Sequence, residues 1–437
     1  MSANTLDRLR RGELAGATRL DLSCGLTHLP DEVFALADTL EVLNLSGNAL
    51  TDLPPDMGRL KKLKIVFGSN NHFEHLPEAL GDCPELEVVG FKATRIRRVD
   101  DHALPPRLRW LILTDNAIEQ LPRAVGERPA LQKLMLAGNR LKTLPEGLAH
   151  AQRLELLRLS ANRFESLPPW LTRLPRLAWL ALAGNPLGWR APQSAPLPQV
   201  AWTSLRVHEV LGEGASGVIY RVGLPGGGMR ALKLFKGAVT SDGLPEHEIA
   251  GSLAAGAHSA LCTPVAELAG HPDGTRGVLL PLLPPHLVNL AGPPSMASCT
   301  RDVYPPGFGL SADEALRVAG KVLAGLAHLH AKGVMHGDLY AHNVLWDPAS
   351  GEAVLSDMGA ACLMPADQPT LRRNLLALEV RALGVLFDEL ASHVLAGAAP
   401  MNEDAPWRTL REAARACLAP DPSERPSVAE LAASWGV

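Results

Sequence analysis

The chain has 437 residues, of which 46% are hydrophobic and 20% charged, so it can bury more than one core and is not a wholly disordered chain. Its 42 basic and 46 acidic side chains leave a net charge of −4, which offers no support for a nucleic-acid partner. No apolar run approaches the ~18 residues that a membrane span needs, and the first residues lack the apolar centre of a signal peptide. Six scattered cysteines without a C-x-x-C pair argue against a disulfide scaffold, so we expect a cytoplasmic protein without a membrane span.

A repeat occupies the first half of the chain. One position recurs every 22 or 23 residues within the pattern L-x-x-L-x-L-x-x-N-x-L-x-x-L-P, and it is asparagine in all copies but one. The members of this ladder are Asn48, Asn71, Thr94, Asn116, Asn139, Asn162 and Asn185. Each copy supplies a short strand whose leucines can be buried only by neighbouring copies, and the Asn amide can bond the backbone of adjacent turns. The pattern resembles the leucine-rich repeat family, which implies a solenoid of about eight repeats over residues 17–188 after a cap segment at residues 1–16.

Strand alternation separates the buried leucines from a second set of side chains that face the concave side. One row of this set is largely apolar and consists of Val42, Ile65, Val88, Trp110, Lys133, Leu156 and Trp179. Apolar and aromatic residues suit strands in general, which is one interpretation of the row. The other interpretation is a protein-binding stripe anchored by Trp110 and Trp179. After the repeats, residues 189–203 form a proline-rich segment that we expect to be an extended linker.

The second half of the chain opens with a glycine-rich motif. Residues 212–217 match G-x-G-x-x-G and are followed by Val218, between two β-like segments, which indicates a hairpin whose backbone N–H groups can approach phosphate oxygens. The next apolar segment contains a single lysine, Lys233. A helical stretch follows, and it offers Glu248 as the partner of this lysine, with Glu246 as the competing choice.

A second helix leads to the most specific motif. Ser311 and Glu314 form a capping box, the helix ends near Gly333, and the chain continues into H-x-D-L-x-x-x-N at residues 336–343. Asp357 follows in a D-x-G run. The ordered set of glycine loop, Lys, Glu, H-x-D-L-x-x-x-N and D-x-G resembles the protein kinase superfamily over residues 204–437. The resemblance implies an N-lobe at residues 204–283 and a C-lobe at residues 284–437.

The family's roles carry over onto the matching positions. Lys233 would hold the α- and β-phosphates of ATP and pair with Glu248, and Asp338 would accept the proton of the attacking hydroxyl. Asn343 and Asp357 would bind Mg²⁺. The residues that would surround the nucleotide are Leu211, Gly212, Glu213, Gly214, Gly217, Val218, Ala231, Lys233, Pro281, Leu283 and Leu345.

The chain also departs from the family pattern. Gly337 replaces the arginine that usually precedes the catalytic aspartate, and Glu379 stands where an aspartate is expected. The helix that we expect to begin at Glu379 follows Asp357 closely, so the peptide-docking segment is short or missing. Arg425 lacks the glutamate with which it usually pairs, and the sequence does not identify its partner.

Together these resemblances predict a multidomain α/β plus α+β protein, in which a leucine-rich repeat solenoid precedes a two-lobed protein-kinase-like domain, as in bacterial-type cytosolic fusions. They imply an ATP- and Mg²⁺-dependent protein kinase in signalling, of Ser/Thr type, whose repeats bind a protein substrate or regulator. Two alternatives stay open: a small-molecule phosphotransferase of the aminoglycoside- or choline-kinase type, and a catalytically silent binding scaffold. The preference for Tyr or for Ser/Thr is also open.

Overall fold

The computed structural model describes residues 2–187, 196–214, 216–237, 239–240, 242–395 and 406–437. Residues 188–195, which include the predicted end of the repeats and the start of the linker, lie outside the described residues. The chain divides into two compact units, Met1–Leu174 and Pro175–Val437. The last repeat therefore belongs to the second unit, and the domain limits proposed from the sequence stay a prediction.

The first unit is built from short parallel strands, one for each copy of the repeat. Neighbouring strands pair in register, so that Leu43 lies opposite Val66 and Leu111 opposite Leu134. These central residues are fully buried because each repeat covers the leucines of the next. The elements are helix α1 (Ser2–Arg10) and strands β1 (Arg19–Asp21), β2 (Val42–Asn44), β3 (Ile65–Phe67), β4 (Val88–Gly90), β5 (Trp110–Ile112), β6 (Lys133–Met135) and β7 (Leu156–Arg158).

The other side of each repeat is a single 3₁₀ turn rather than a long helix. Most of these turns follow a Leu-Pro at the end of the repeat, where proline presets a backbone angle suited to the start of a turn, whereas the turn at Asp101–Ala103 follows Val99 and Asp100. The turns of the first unit lie at Asp31–Leu36, Met57–Arg59, Glu78–Asp82, Asp101–Ala103, Arg123–Glu127, Glu146–His150 and Leu171–Arg173.

The asparagine ladder joins the repeats to one another. The Nδ2 of Asn139 donates to the carbonyl oxygens of Leu113 and Leu136, both at 2.9 Å, and its Oδ1 accepts from the N–H of Ile118 at 3.0 Å. At the exceptional position, the hydroxyl of Thr94 donates instead to Asn116 Oδ1 at 2.6 Å. Each amide thus satisfies buried backbone groups that the turn would otherwise leave without partners.

The second unit begins with the last repeat strand, β8 (Trp179–Ala181), and continues into a mixed sheet with the order β10-β11-β12-β14-β13-β9. Part of the predicted linker, Gln199–Ala201, is an edge strand of this sheet and pairs in parallel with β13. The elements of this part are β9 (Gln199–Ala201), β10 (Arg206–Glu213), β11 (Gly217–Gly223), β12 (Met229–Phe235), helix α2 (Pro245–Ala255), β13 (Ala266–Ala269) and β14 (Gly277–Pro281).

A mainly helical part follows. Its first long helix has the predicted capping box, with both reciprocal bonds between Ser311 and Glu314, which confirms that element. The helix that was predicted to begin at Glu379 begins at Pro369 instead, because proline is well tolerated in the first turn. The elements are β15 (Val288–Asn289), α3 (Ala312–Ala331), β16 (Val334–Met335), β17 (Val344–Trp346), β18 (Ala353–Leu355), β19 (Cys362–Leu363), α4 (Pro369–Ser392), α5 (Pro406–Cys417) and α6 (Val428–Trp435). Among the described residues, no helix combines the length and the apolar character that crossing a bilayer demands.

We expect Asn139→Ala to lower the free energy of unfolding by about 2 kcal/mol, because it leaves the buried N–H of Ile118 without a partner and removes one of the two bonds that the carbonyls of Leu113 and Leu136 each accept. Denaturant titration of the whole chain measures the change. Arg140→Ala is the matched control, since the contact of Arg140 with Glu119 is long, at 3.9 Å, and half-exposed, so its loss should cost no more than about 0.5 kcal/mol. Equal stability of the two variants would contradict a structural role for the ladder.

Candidate active site

The glycine motif forms the turn of the β10–β11 hairpin. The N–H of Gly214 donates to the carbonyl of Gly217 at 2.9 Å, which closes the turn. Gly217 tolerates no side chain, because an added Cβ would lie 2.5 Å from the carbonyl oxygen of Leu234 on the neighbouring strand. Lys236 ties the turn to β12 through the carboxylate of Glu213 and the carbonyl of Gly214. The hairpin that the sequence predicted is therefore present.

Lys233 is the meeting point of three elements. Its Nζ lies 2.7 Å from Oε1 of Glu248 on α2 and 3.3 Å from Oδ1 of Asp357. Lys233 and Glu248 are both buried, so their charges are held away from water. The competing choice, Glu246, lies outside this cluster and pairs with Arg276 at 2.8 Å.

The charges in this cluster depend on one another. Burial opposes the charge of Lys233, but the carboxylates of Asp357 and Glu248 outweigh it and raise the pKa of the ammonium. Burial raises the pKa of Glu248 to about 7 although Lys233 opposes this, and the charge of Asp357 adds to the rise. Burial would also raise the pKa of Asp357, but the Lys233 ammonium and the Gly359 N–H hold it below its ordinary value. The cluster thus keeps a charged lysine and a charged Asp357, and Glu248 is the member that protonates first as the pH falls.

Asp338 and Asn343 are bonded directly. The Nδ2 of Asn343 donates to the carbonyl oxygen of Asp338 at 2.9 Å and to its carboxylate oxygen Oδ2 at 3.0 Å. Ser356, which precedes Asp357, donates its N–H and its hydroxyl to the carbonyl of Asn343 at 2.8 and 2.9 Å. Asp357 itself has a φ of +56°, a strained conformation for a residue other than glycine, of the kind that often occurs at functional sites. The structure therefore brings together all five polar residues that the sequence singled out.

A buried glutamate supports the backbone before Asp338. Glu379 Oε1 accepts from the N–H of Gly337 at 2.6 Å, and its Oε2 accepts from the N–H of His336 at 3.2 Å and contacts His330 Nε2 at 2.8 Å. Burial alone would raise the pKa of Glu379, but these donors hold it below its ordinary value. Glutamate at this position therefore satisfies the loop's donors as a carboxylate, and the family's usual aspartate is not required.

A second carboxylate holds the end of the same loop, and sequence reasoning missed it. Asp302 accepts from the backbone N–H of His342 at 3.0 Å and contacts its Nδ1 at 2.7 Å. Burial disfavours the imidazolium, but the bond to Asp302 outweighs it and raises the pKa of His342. Asp302 lies in an irregular segment far along the chain from the motif, so no spacing could have indicated it.

The residues proposed to surround the base lie on the expected strands. Ala231 is buried in β12 opposite Leu280, and Pro281 pairs with Arg230 at the end of β14. Val218, Leu283 and Leu345 are half-buried, and Leu211 is 46% exposed. That these residues together line one apolar pocket stays a prediction.

The structure also supplies partners that the sequence left open. The guanidinium of Arg425 is buried, which lowers its pKa to about 10. Within the described part of the chain, its bonds go to backbone carbonyls, among them Ala377 at 2.8 Å and Ala419 at 2.9 Å. The sequence analysis was wrong about Trp179 as an exposed anchor. Its side chain is only 1% exposed, because it stacks on Tyr340 within the second unit.

We expect Glu379→Gln to destabilise the protein by about 3 kcal/mol near neutral pH, because an amide cannot replace a carboxylate that accepts several buried bonds. The pKa of Glu379 is lower in the folded state, so its contribution is fully present above the unfolded value of about 4.5 and is lost as the pH falls through the folded value. The difference between wild type and variant should therefore be constant above pH 5 and shrink in more acid solution. Denaturant titrations at several pH values measure it.

The control for this variant is Glu352→Gln, since Glu352 is mostly exposed and pairs only with Lys321 at 2.8 Å. It should change the free energy of unfolding by about 0.5 kcal/mol or less. A difference for Glu379→Gln that grew as the pH fell would contradict the assignment of a low pKa.

Comparisons with known proteins match both halves of the chain. Leucine rich repeat models match residues 39–60, 106–164 and 129–187. A protein kinase domain model matches residues 296–380, which contain Asp338, Asn343 and Asp357, whereas Lys233 and Glu248 lie outside that match.

Individual relatives match shorter stretches. The serine/threonine-protein kinase/endoribonuclease IRE1b of Arabidopsis thaliana is 45% identical over 60 residues, 14% of this chain and 7% of the relative. The cell cycle protein kinase spo4 of Schizosaccharomyces pombe is 43% identical over 49 residues, 11% of each chain. The probable inactive serine/threonine-protein kinase roco10 of Dictyostelium discoideum is 33% identical over 127 residues, 26% of this chain and 5% of the relative.

The chain thus spans no more than 11% of the length of these relatives. The repeat models fall on the parallel strands, and the kinase model falls on the segment that carries the Asp338 loop and the D-x-G run. These matches therefore support a fusion of leucine-rich repeats with a protein-kinase-like domain.

Proposed function

We propose that the chain is an ATP- and Mg²⁺-dependent protein kinase of Ser/Thr type, and that its leucine-rich repeats bind a protein substrate or regulator in signalling. The observation that carries the proposal is the position of the Lys233 ammonium, 2.7 Å from Glu248 and 3.3 Å from Asp357. A phosphoryl transfer site needs fixed positive charge beside an acidic metal ligand, and this cluster supplies both. None of the six cysteines, all of which lie among the described residues, is in a disulfide, which supports a reducing, cytoplasmic setting.

The donor atoms suit magnesium. Both bonds from the Asn343 amide nitrogen go to Asp338, which leaves the amide oxygen as its ligand atom, and Asp357 adds a carboxylate. Mg²⁺ typically binds a small number of oxygen ligands from the protein. It keeps several waters and takes its remaining ligands from phosphate oxygens. Among the described residues, no three His, Cys, Asp or Glu side chains form a cluster that could hold a metal ion. A Mg²⁺ site made of Asn343 and Asp357 does not need such a cluster, because waters and phosphates supply the other ligands. When bound, ATP would supply the phosphoryl group and Mg²⁺ would offset its negative charge.

With both groups bound, each polar side chain of the site would have one role in the transfer. Lys233 would hold the phosphates, and Glu248 would keep the lysine in place. The Asp338 carboxylate, oriented by Asn343, would accept the proton of the attacking hydroxyl. Glu379 would hold the backbone of His336 and Gly337, so that the loop carrying Asp338 keeps its shape when substrates exchange.

Two observations favour other functions. Only Met358–Gln368 separates Asp357 from the start of α4, which leaves little chain for docking a peptide and favours a small-molecule acceptor. The direct contact of Lys233 with Asp357, together with a relative named as probably inactive, favours a silent scaffold. The presence of all five polar residues in bonded contact supports catalysis over the scaffold.

We expect purified wild-type protein to transfer label from ATP to generic Ser- and Thr-containing proteins, and Asp338→Asn to lower this rate by about 100-fold or more. Removal of Mg²⁺ by a chelator should abolish transfer. Asp313→Asn, an exposed carboxylate in the first turn of α3, is the matched control and should transfer at the wild-type rate.

The same assay separates the alternatives. Turnover with small alcohols and amines but no label on protein would replace the proposal by the small-molecule phosphotransferase. Absence of any turnover that depends on Asp338 would leave the binding scaffold.

The repeat partner is proposed to bind the half-buried apolar row of the first unit. Lys133 Nζ lies 4.2 Å from the centroid of the Trp110 ring, and the indole N–H donates to Met135 Sδ at 3.3 Å, so Trp110 is held rigidly. Rigid aromatic side chains often dominate the energy of protein interfaces. The half-buried apolar side chains come from two adjacent strand positions, with Val42, Ile65 and Trp110 at one and Phe67, Ile112 and Met135 at the other.

We expect Trp110→Ser to weaken the binding of a protein partner captured from the source cells by about tenfold or more, because it removes the largest apolar side chain of the row. Quantitative pull-down followed by titration with the captured protein measures the change. Arg123→Ser, a highly exposed side chain elsewhere on the first unit, is the control. Equal affinity of both variants would remove Trp110 from the interface.

A further inference from the structure

The terminal-repeat segment (residues 175–187) contacts the catalytic loop at the residues that follow Asp338. The Trp179 ring stacks on Tyr340 with centroids 4.3 Å apart and planes 5° from parallel. Its indole Nε1–H donates to the carbonyl oxygen of Leu339 at 2.8 Å. Both contacts are inside the second compact unit, and Trp179 is almost completely buried.

The same segment also covers the backbone just before Asp338. Gly337 has a φ of +77°, and an added Cβ would lie 2.9 Å from the Leu180 carbonyl oxygen and 2.6 Å from that of Ala360. A side chain at Gly337 therefore has neither a suitable backbone conformation nor space. The space beside Gly337, where the kinase family has an arginine, is occupied here by the backbone of Ala360 and of Leu180 in the terminal-repeat segment.

Further contacts extend this arrangement to neighbouring elements. Burial raises the pKa of the Cys362 thiol and the nearby backbone N–H of Leu182 opposes this rise, which places the segment beside the strand that pairs with β16 before the catalytic loop. Gly184 lies against His247 so closely that an added Cβ would be 1.9 Å from the imidazole. His247 immediately precedes Glu248 on α2, so the segment touches both the catalytic loop and the helix that carries the partner of Lys233.

Arginines hold the start of the segment. Arg425 donates to the carbonyl oxygen of Pro175 at 3.3 Å, and Arg381 donates to that of Arg176 at 3.2 Å. Arg381 also donates to the Leu418 carbonyl at 3.0 Å, which fixes its guanidinium. The segment is therefore held at its start by arginines and in its middle by Trp179.

We propose that the terminal-repeat segment is a built-in clamp that holds the catalytic loop in its working shape, with Trp179 as its main positioning residue. The expected effect of the clamp on catalysis rests on the proposed function, whereas its contacts with the loop do not. Trp179 orients Asp338 through the next two residues and does not touch the phosphates itself. A loss of the clamp should therefore slow the transfer step and leave nucleotide binding almost unchanged, because small displacements of a catalytic group reduce rate strongly.

Two substitutions in the full chain separate the contacts of Trp179. Trp179→Phe keeps an aromatic ring against Tyr340 but removes the donor to Leu339, and Trp179→Ala removes both. We expect kcat for transfer from ATP to fall about threefold in the first and about thirtyfold or more in the second, with KM for ATP within about twofold of wild type. Trp435→Phe and Trp435→Ala are matched controls, because Trp435 also stacks on an aromatic ring, that of Phe387 at 5.3 Å, but lies in the last helix. They should leave kcat unchanged.

A second measurement does not depend on activity. Hydrogen exchange of the amides at residues 339–343 should become faster in the order wild type, Trp179→Phe, Trp179→Ala, and should stay the same in the Trp435 variants. Wild-type kcat together with wild-type exchange in the Trp179 variants would overturn the clamp. If Trp179→Ala fails to fold, the result for Trp179→Phe decides. A variant that is only less stable keeps the wild-type kcat and KM in its folded fraction, so a lower kcat at unchanged KM in folded Trp179→Phe supports the clamp.

The exchange experiment also separates failure of the clamp from failure of the proposed function. If wild-type protein shows no transfer that depends on Asp338, the kinase proposal fails. Faster exchange in the Trp179 variants would then still support a clamp on the loop, and unchanged exchange would overturn it.

Discussion

The shared ammonium of Lys233 is the interaction on which the candidate site depends. One positive charge lies between the carboxylates of Glu248 and Asp357, which come from a helix and from the D-x-G run. A buried charge is tolerated only when it is paired and hydrogen-bonded, so each partner requires the others. Because Lys233 lies on a central strand of the sheet, this pairing fixes α2 and the segment of Asp357 against that sheet.

In the loop around Asp338, the chain replaces side chains that are usual in the kinase family with other groups. Glu379 accepts the backbone donors at Gly337 as a carboxylate, where the family uses an aspartate. Arg425 donates to backbone carbonyls instead of to a glutamate. Gly337 has no room for an arginine, since the Leu180 carbonyl lies above it. In each case the need of the backbone for bonded partners is met, although the identity of the partner changes.

In the repeats, the leucine and asparagine contacts join neighbouring copies. A leucine that one copy exposes is covered by the next, and an Asn amide bonds carbonyls of two successive turns. The exception at Thr94 is accommodated because its hydroxyl donates to Asn116 in the next turn. Contacts between neighbouring copies can therefore be predicted from the spacing of Leu and Asn in the sequence.

The sequence by itself therefore determined the strand of each repeat, the capped helix α3 and the glycine hairpin, and it singled out the five polar residues that meet at the candidate site. These depend on local spacing and on motifs whose residue types the chemistry requires. Only the tertiary structure decided between Glu246 and Glu248, because the two lie on one helix and differ only in the direction they face. The structure also decided the start of α4 at Pro369, the partners of Arg425, the Asp302–His342 pair and the burial of Trp179. Each of these joins residues far apart in the chain, and the free energy of such contacts depends on which surfaces the folded chain brings together.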